Sequence, residues 1–163
     1  MKPITENIIE ESAIETLKSQ GWEYANGKEL SPEGLFCERE NYQQIILTNR
    51  LRNAIATINP HIPADAQEAT VQKVLRIYSP VLLHNNEEFH KLLVEKVKIP
   101  YQQNGYERSH EVALIDFENP KNNQFLIVNQ YTIIENNQNK RPDILLFVNC
   151  LPLVVMELKN ATD

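Results

Sequence analysis

Aspartate is sparse in this sequence; Asp65, Asp116, Asp143 and Asp163 are its only four. One of them follows a proline in Arg141-Pro142-Asp143, and fourteen residues later comes Glu157-Leu158-Lys159. The residues between and around them, ILLFVN and LPLVVM, read as two apolar strands. Two residues apart on a strand, Glu157 and Lys159 project from one face. Val155 and Leu153 precede them on that face, and Val154, Met156 and Leu158 lie on the other. An apolar strand ending in Glu-x-Lys brings opposite charges together at the rim of a buried surface. Two carboxylates with a lysine beside them suit divalent-metal phosphodiester hydrolysis. The acids offer the hard oxygen ligands that Mg²⁺ takes, and the ion polarises a phosphoryl oxygen and activates water. The ammonium orients that water or offsets developing negative charge.

Strand register decides whether Asp143 can take part. With a two-residue turn at Asn149-Cys150, Pro142 lies opposite Glu157 and Asp143 faces the wrong way. With a three-residue loop, or a bulge near Pro152, which has no N–H for the ladder, Asp143 lies opposite Glu157. The metal-site reading predicts the second case.

A further acid comes from the front of the chain. ENIIEESAIETLKSQ reads as a helix, with Thr5 as N-cap and Gly21 as its stop. At roughly 100° per residue, Ile9, Ala13, Ile14 and Leu17 share one arc. Glu6 and Glu10 fall inside that arc, whereas Glu11 and Glu15 point away. A carboxylate on an apolar helix face is costly unless something compensates it.

The elements that must position these groups are legible in outline. After Gly21, WEYANGKELSPEGLF is turn-rich and weakly patterned. Ile45, Ile46, Leu51, Ile55 and Ile58 predict a second helix over about Tyr42–Ile58. A third follows between Pro63 and Pro80, over about Gln67–Tyr78, with Val71, Val74, Leu75 and Tyr78 on one side. Glu87–Lys96 predicts a short fourth, with Phe89, Leu92 and Leu93 inward. Past Pro100 the character changes to strands: HEVALIDF, QFLIVNQYTII, DILLFVN and LPLVVMELK, broken by ENPKNN and ENNQNKRP. The pattern predicts a helical front half, about 4–96, and a strand run, about 107–159, in one domain over 1–163. The expected class is mixed α/β (α+β) around a central, mostly antiparallel or mixed sheet.

Composition narrows the alternatives. In 163 residues, 42% are hydrophobic, which excludes collagen-like and mainly disordered classes. No apolar run reaches membrane-helix length and the N-terminus lacks a signal-peptide core, so no membrane association is expected. Cys37 and Cys150 give no disulfide framework, and cytoplasmic placement is the default. They read as small apolar residues. His61, His84, His90 and His110 are scattered without metal-ligand spacing and read as structural or surface residues. No glycine spacing fits a phosphate-cradling loop. Sixteen Lys+Arg against 22 Asp+Glu give a formal charge of −6, which argues against a free-standing nucleic-acid-binding domain. Lys140 and Arg141, beside Asp143, fit a DNA-phosphate contact or a solvated loop equally well.

Asp…Glu-x-Lys across a hairpin resembles the PD-(D/E)xK nuclease superfamily. ITENIIEESAIETLKSQGW, VALIDFENPKNNQFLIVNQYTI and RPDILLFVNCLPLVVMELKNATD together resemble the N-terminal nuclease domain of the restriction (R) subunit of type I restriction–modification enzymes, across nearly the whole chain. The resemblance implies a restriction-endonuclease-like fold with a helical insertion after the first helix. It implies Asp143 and Glu157 as metal ligands, Lys159 as catalytic lysine and one or two Mg²⁺ ions. Glu10 matches the superfamily's first-helix glutamate, and Glu6 is a supporting or alternative acid. The implied activity is that of a type I site-specific deoxyribonuclease, cleaving double-stranded DNA in defence against foreign DNA, with methylation (M) and specificity (S) subunits as partners. ATP is implied for the full subunit only, since no ATP site is expected in this chain. The family continues past the Glu-x-Lys strand into a Gln-x-x-x-Tyr helix and a translocating motor, so a chain ending at Asp163 is expected to be a fragment, inactive or weak alone. The alternatives are another nuclease of the superfamily, in repair or junction processing, and an inactive nuclease-like assembly module. Asn149-Cys150 stands where the family commonly has Asn-Gly, a departure that matters if residue 150 adopts positive φ.

Overall fold

The computed structural model describes residues 6–77 and 80–159, so Thr5, Tyr78 and Asp163 lie outside the described residues. The chain forms two compact units, one of residues 1–47 and 124–163, the other of residues 48–123.

In the first unit, helix α1 (Glu6–Ser19) leads into strand β1 (Glu23–Asn26). Gly21 ends the helix at φ 95°, a conformation natural to glycine. The second unit holds α2 (Thr48–Ile58), α3 (Ala64–Leu75), α4 (Leu82–Glu95) and the hairpin β2 (Val97–Gln103) and β3 (Tyr106–Val112). The chain then returns to the first unit with β4 (Phe125–Asn129), the small hairpin β5 (Ile133–Glu135) and β6 (Gln138–Lys140), and the hairpin β7 (Ile144–Val148) and β8 (Leu151–Met156). The division therefore differs from a helical front half and a strand run, since the β2–β3 hairpin belongs with the helices.

The first unit is built on a four-stranded sheet in the order β1-β4-β7-β8, with β1 parallel to β4 and the other pairs antiparallel. One face buries Ile127, Ile144 and Leu146 against Ile14 of α1, with Ala13, Leu17, Trp22, Met156 and Leu158 packed around them. Ala13, Ile14 and Leu17 are three of the four apolar positions of the predicted helical arc, and each fully buried aliphatic side chain contributes roughly 1.5–3 kcal/mol. Leu126, Val128, Leu145 and Phe147, of opposite parity, are also buried, so both faces of β4 and β7 are covered. The fold is mixed α/β with a mixed central sheet and flanking helix, of the restriction-endonuclease-like kind expected.

The second helix begins six residues later than the apolar spacing predicts. Asn41 Oδ1 accepts from the backbone of Gln43 and Gln44, a local turn that competes with helix. The carbonyls of Tyr42, Gln44 and Ile45 are taken by tertiary partners: Arg39 Nη2 and Nε donate to the first two and the Tyr131 hydroxyl to the third. Strand β1 is too short to pattern, and pairing with β4 defines it. Pro100 does not prevent β2, because among the described residues β2 pairs only with β3 and its other edge needs no donor there. Cys37 is exposed, whereas Cys150 is buried, and they form no bridge. His61, His84 and His90 are exposed, and His110 stacks on Tyr101 with ring centroids 4.2 Å apart.

Within the second unit, α2 and α3 are tied by a forked pair. Arg52 Nε and Nη2 donate to the two oxygens of Glu68 at 2.6 and 3.1 Å. The guanidinium, helped by Gln72, lowers the Glu68 carboxyl from its ordinary 4.5 to about 2. A depressed acid stabilises the fold above its unfolded value, and that contribution disappears as pH falls towards about 2. Both side chains are over 40% exposed, so screening limits the effect to about 0.5 kcal/mol. Urea titrations of wild type and Glu68→Gln should therefore differ at pH 6 and converge as pH approaches 2. A constant gap across that range would refute the ion-pair account.

Candidate active site

The hairpin that carries the predicted acids turns through Asn149 and Cys150, both at positive φ (51° and 64°). Asn149 is anchored on both sides: its N–H donates to Gln124 O and its Oδ1 accepts from Gln124 N, at 2.8 and 2.9 Å. Cys150 thus occupies the conformation in which glycine would be less strained. The turn is the two-residue kind, with Val148 paired to Leu151 and Phe147 to Pro152. The register then shifts, so that Leu146 pairs with Val154, Leu145 with Val155 and Ile144 with Met156. Leu153 is the additional residue of a bulge next to Pro152, where the ladder lacks a donor. Continuing the shifted register by one rung sets Asp143 opposite Glu157. Without the bulge, Pro142 would stand there. The Leu158 N–H donates to Asp143 Oδ2 at 2.6 Å, closing the end of the hairpin.

Met156 and Leu158 pack on the α1 side of the sheet. By alternation, Glu157 and Lys159 project from the opposite face, and both are exposed. Asp143 is half-buried and follows the buried Pro142, whose ring fixes the backbone entering the site. Lys140 ends β6 and Arg141 follows it, both exposed.

Glu10 is half-buried on α1, and its Oε1 accepts from Asn129 Nδ2 at 2.7 Å. Asn129 ends β4 and pairs with Ile144, the residue after Asp143. Glu10 therefore lies at the same end of the sheet but on its α1 face, one rung inward, whereas alternation turns Asp143 and Glu157 to the opposite face. Glu6, one turn earlier, is exposed. An open cleft of about 490 Å³ runs between α1 and the β1–β4 strand ends, lined by Glu10, Glu11, Glu15, Tyr24, Asn129 and Gln130 among others. Among the described residues, no three His, Cys, Asp or Glu side chains form a group able to cage a metal ion. A pair of carboxylates still fits Mg²⁺, which commonly takes one or two acids and completes its shell with water and substrate phosphate. The oxygen-only chemistry of Asp143 and Glu157 is of that kind.

Two polar residues of this end are not among those predicted. Asn129 holds Glu10, and the Tyr24 hydroxyl donates to Asn129 Oδ1 at 2.9 Å. The signal for Asn129 lies in QFLIVNQ, where Phe125 and Ile127 set an apolar face that Asn129 interrupts. Among the described residues, no helix is long and apolar enough to cross a membrane.

Comparison with known proteins identifies the family. The chain is 41% identical over 159 residues to the type I restriction enzyme HindI endonuclease subunit of Haemophilus influenzae, covering 96% of this chain. It is 36% identical over 156 residues to a Methanocaldococcus jannaschii protein provisionally named MjaIXP type I restriction enzyme endonuclease subunit, covering 94%. In both cases it spans only 15% of the relative's length. Residues 3–163 match the family described as type I restriction enzyme R protein N terminus. The chain belongs to that family.

Proposed function

We propose that this domain is the Mg²⁺-dependent endonuclease of a type I restriction enzyme, cutting double-stranded DNA in defence against foreign DNA. The observation that carries this reading is the bulge at Pro152–Leu153, which shifts the register so that, continued one rung past Ile144 and Met156, it sets Asp143 opposite Glu157, two residues before Lys159. Asp143 and Glu157 would hold the ion, with Glu10 as the further acid and Glu6 as a supporting or alternative one. A divalent ion held there supplies Lewis acidity to a phosphoryl oxygen and acidity to a bound water. The Leu158 N–H fixes one oxygen of Asp143, so the carboxylate needs little reorganisation to receive a cation. Lys159, on the face of Glu157, orients the attacking water and offsets negative charge growing on the phosphate as the phosphodiester bond breaks in line. Lys140 and Arg141, exposed and two to three residues before Asp143, are placed in sequence to meet a DNA phosphate.

Sequence recognition and methylation would fall to S and M subunits, and ATP-driven translocation to the rest of the R subunit, all in the cytoplasm. A formal charge of −6 fits a cutting domain whose DNA is held by its partners. The test is Lys159→Ala in the assembled enzyme. Cleavage of unmodified plasmid should fall by about 100-fold or more, with DNA-stimulated ATP hydrolysis within about twofold of wild type. Undiminished cutting would remove the basis of the proposal.

A further inference from the structure

The β2–β3 hairpin is buried at one end and bare at the other. Val97 and Val112 pair at its base, both fully buried, where the hairpin packs on α3. From 102 to 109 every residue is exposed, and among the described residues each strand pairs only with the other. A two-stranded ribbon in water is marginally stable by itself, so cross-strand side-chain pairs hold its outer half. Tyr101 and His110 are such a pair, diagonal neighbours stacked with centroids 4.2 Å apart and planes 15° from parallel.

Strand alternation divides the chemistry of the ribbon between its faces. Tyr101, Gln103, Tyr106, Arg108 and His110 share the face of the buried valines, with Arg108 opposite Tyr101 and Tyr106 opposite Gln103. The hairpin's two acids, Glu107 and Glu111, fall on the other face with Lys98. Every polar side chain of the first face can therefore donate a hydrogen bond, and none is an acid. Tyr106 is 73% exposed. Among the described residues, the Arg108 guanidinium has no hydrogen bond or ion pair. In a chain of 22 acids and 16 bases, the pleat keeps this arginine away from its own sequence neighbour Glu107.

A ligand suited to this face offers acceptors, negative charge and a surface for aromatic rings. The backbone of duplex DNA offers all three along its length, and its phosphates accept from arginine, tyrosine and glutamine alike. A stable protein interface buries roughly 800 Å² on each side. One face of the outer ribbon, with strands about 4.8 Å apart, presents far less.

We infer that this face of the β2–β3 hairpin contacts the phosphate backbone of double-stranded DNA without regard to sequence, with Arg108 as its charged group. The inference rests on the proposed reading that DNA is the substrate, and it adds a contact that the net charge of −6 hides. Such a contact steers DNA held by the rest of the enzyme and does not hold it alone.

The experiment follows fluorescence anisotropy of two unrelated non-specific duplexes on the full-length R subunit at rising salt. Arg108→Gln should weaken binding about threefold to tenfold on both sequences, and lower the slope of log affinity against log salt by about 1. Arg108→Lys should keep that slope, because charge rather than the planar fork releases counterions. Tyr106→Ala should weaken binding with the slope unchanged. Glu107→Gln, on the other face, should not weaken it. All three side chains are exposed, so thermal midpoints should stay at the wild-type value. Wild-type affinity and slope in Arg108→Gln overturn the inference, as does an equal loss in Glu107→Gln. Failed assembly with M and S subunits at unchanged DNA binding makes the face a protein contact and overturns it too. The nuclease reading is judged apart from this: a Lys159→Ala enzyme that still cuts removes that reading and leaves the DNA contact standing.

Discussion

Asp143→Asn in the assembled restriction enzyme is expected to reduce plasmid cleavage to below about 1% of wild type while leaving the domain folded. The substitution keeps the size of the side chain and one carbonyl oxygen. That oxygen can still accept the Leu158 N–H, which in the native chain donates to Oδ2 at 2.6 Å. What it removes is the negative charge facing the rung of Glu157. Asp143→Ala removes both charge and acceptor, and it leaves a part-buried amide without that partner, at a cost of about 1–3 kcal/mol. Comparing the two separates chemistry from structure. Both should abolish cutting, and only the alanine should lower the unfolding midpoint measurably. If Asp143→Asn cuts at near wild-type rate, Asp143 is no metal ligand, whatever its place in the hairpin.

Much of this end of the molecule is legible in the amino-acid order because strand alternation and proline chemistry are local rules. Glu157 and Lys159 share a face by spacing alone, and Pro152 announces a break in the ladder. Whether that break takes the form of a longer loop or a bulge is not local. Val148↔Leu151 and Leu146↔Val154 show a tight turn and a bulge together. The turn is tight because Asn149 is clamped to Gln124, which is distant in sequence. Glu10 likewise stands out on its helix, yet the residue that holds it lies 119 positions away. Other signals are local and strong. Asn104-Gly105, both at positive φ, join β2 to β3 in the dipeptide most typical of hairpins. Asn136 and Asn137, also at positive φ, do the same between β5 and β6. Starting the strand run at about residue 107 passes over the first of these.

Arg39→Met should destabilise the first unit by about 3 kcal/mol, the largest loss of stability expected for any single substitution outside the apolar core. Nothing in CEREN marks this arginine as special, yet it is 1% exposed. Its guanidinium donates to the carbonyls of Gln44, Thr132 and Tyr42 at 2.7, 2.8 and 2.9 Å. It also lies 4.0 Å from the centre of the Tyr131 ring. Burial lowers the Arg39 pKa and raises that of the Tyr131 phenol, whose hydroxyl donates to Ile45 O at 2.7 Å. The arginine stays charged nonetheless, because its intrinsic basicity is so high. One planar group thereby satisfies three part-buried loop carbonyls and stacks on an aromatic face, binding residues 39–46 to the segment after β4. Methionine fills much of the volume but donates nothing. Lysine keeps the charge but cannot present a fork to three acceptors, so Arg39→Lys should recover only part of the loss. In thermal unfolding followed by circular dichroism, Arg39→Met should lower the midpoint by roughly 10 °C and Arg39→Lys by an intermediate amount. Because Thr132 lies three residues after Asn129, the same loosening should reach the sheet end. Cleavage by Arg39→Met in the assembled enzyme should be near normal at low temperature and fail well below the temperature at which wild type fails. A wild-type midpoint for Arg39→Met would show that solvent or neighbouring groups satisfy those carbonyls equally well, and the clamp would have to be abandoned as the reason this loop is not helix.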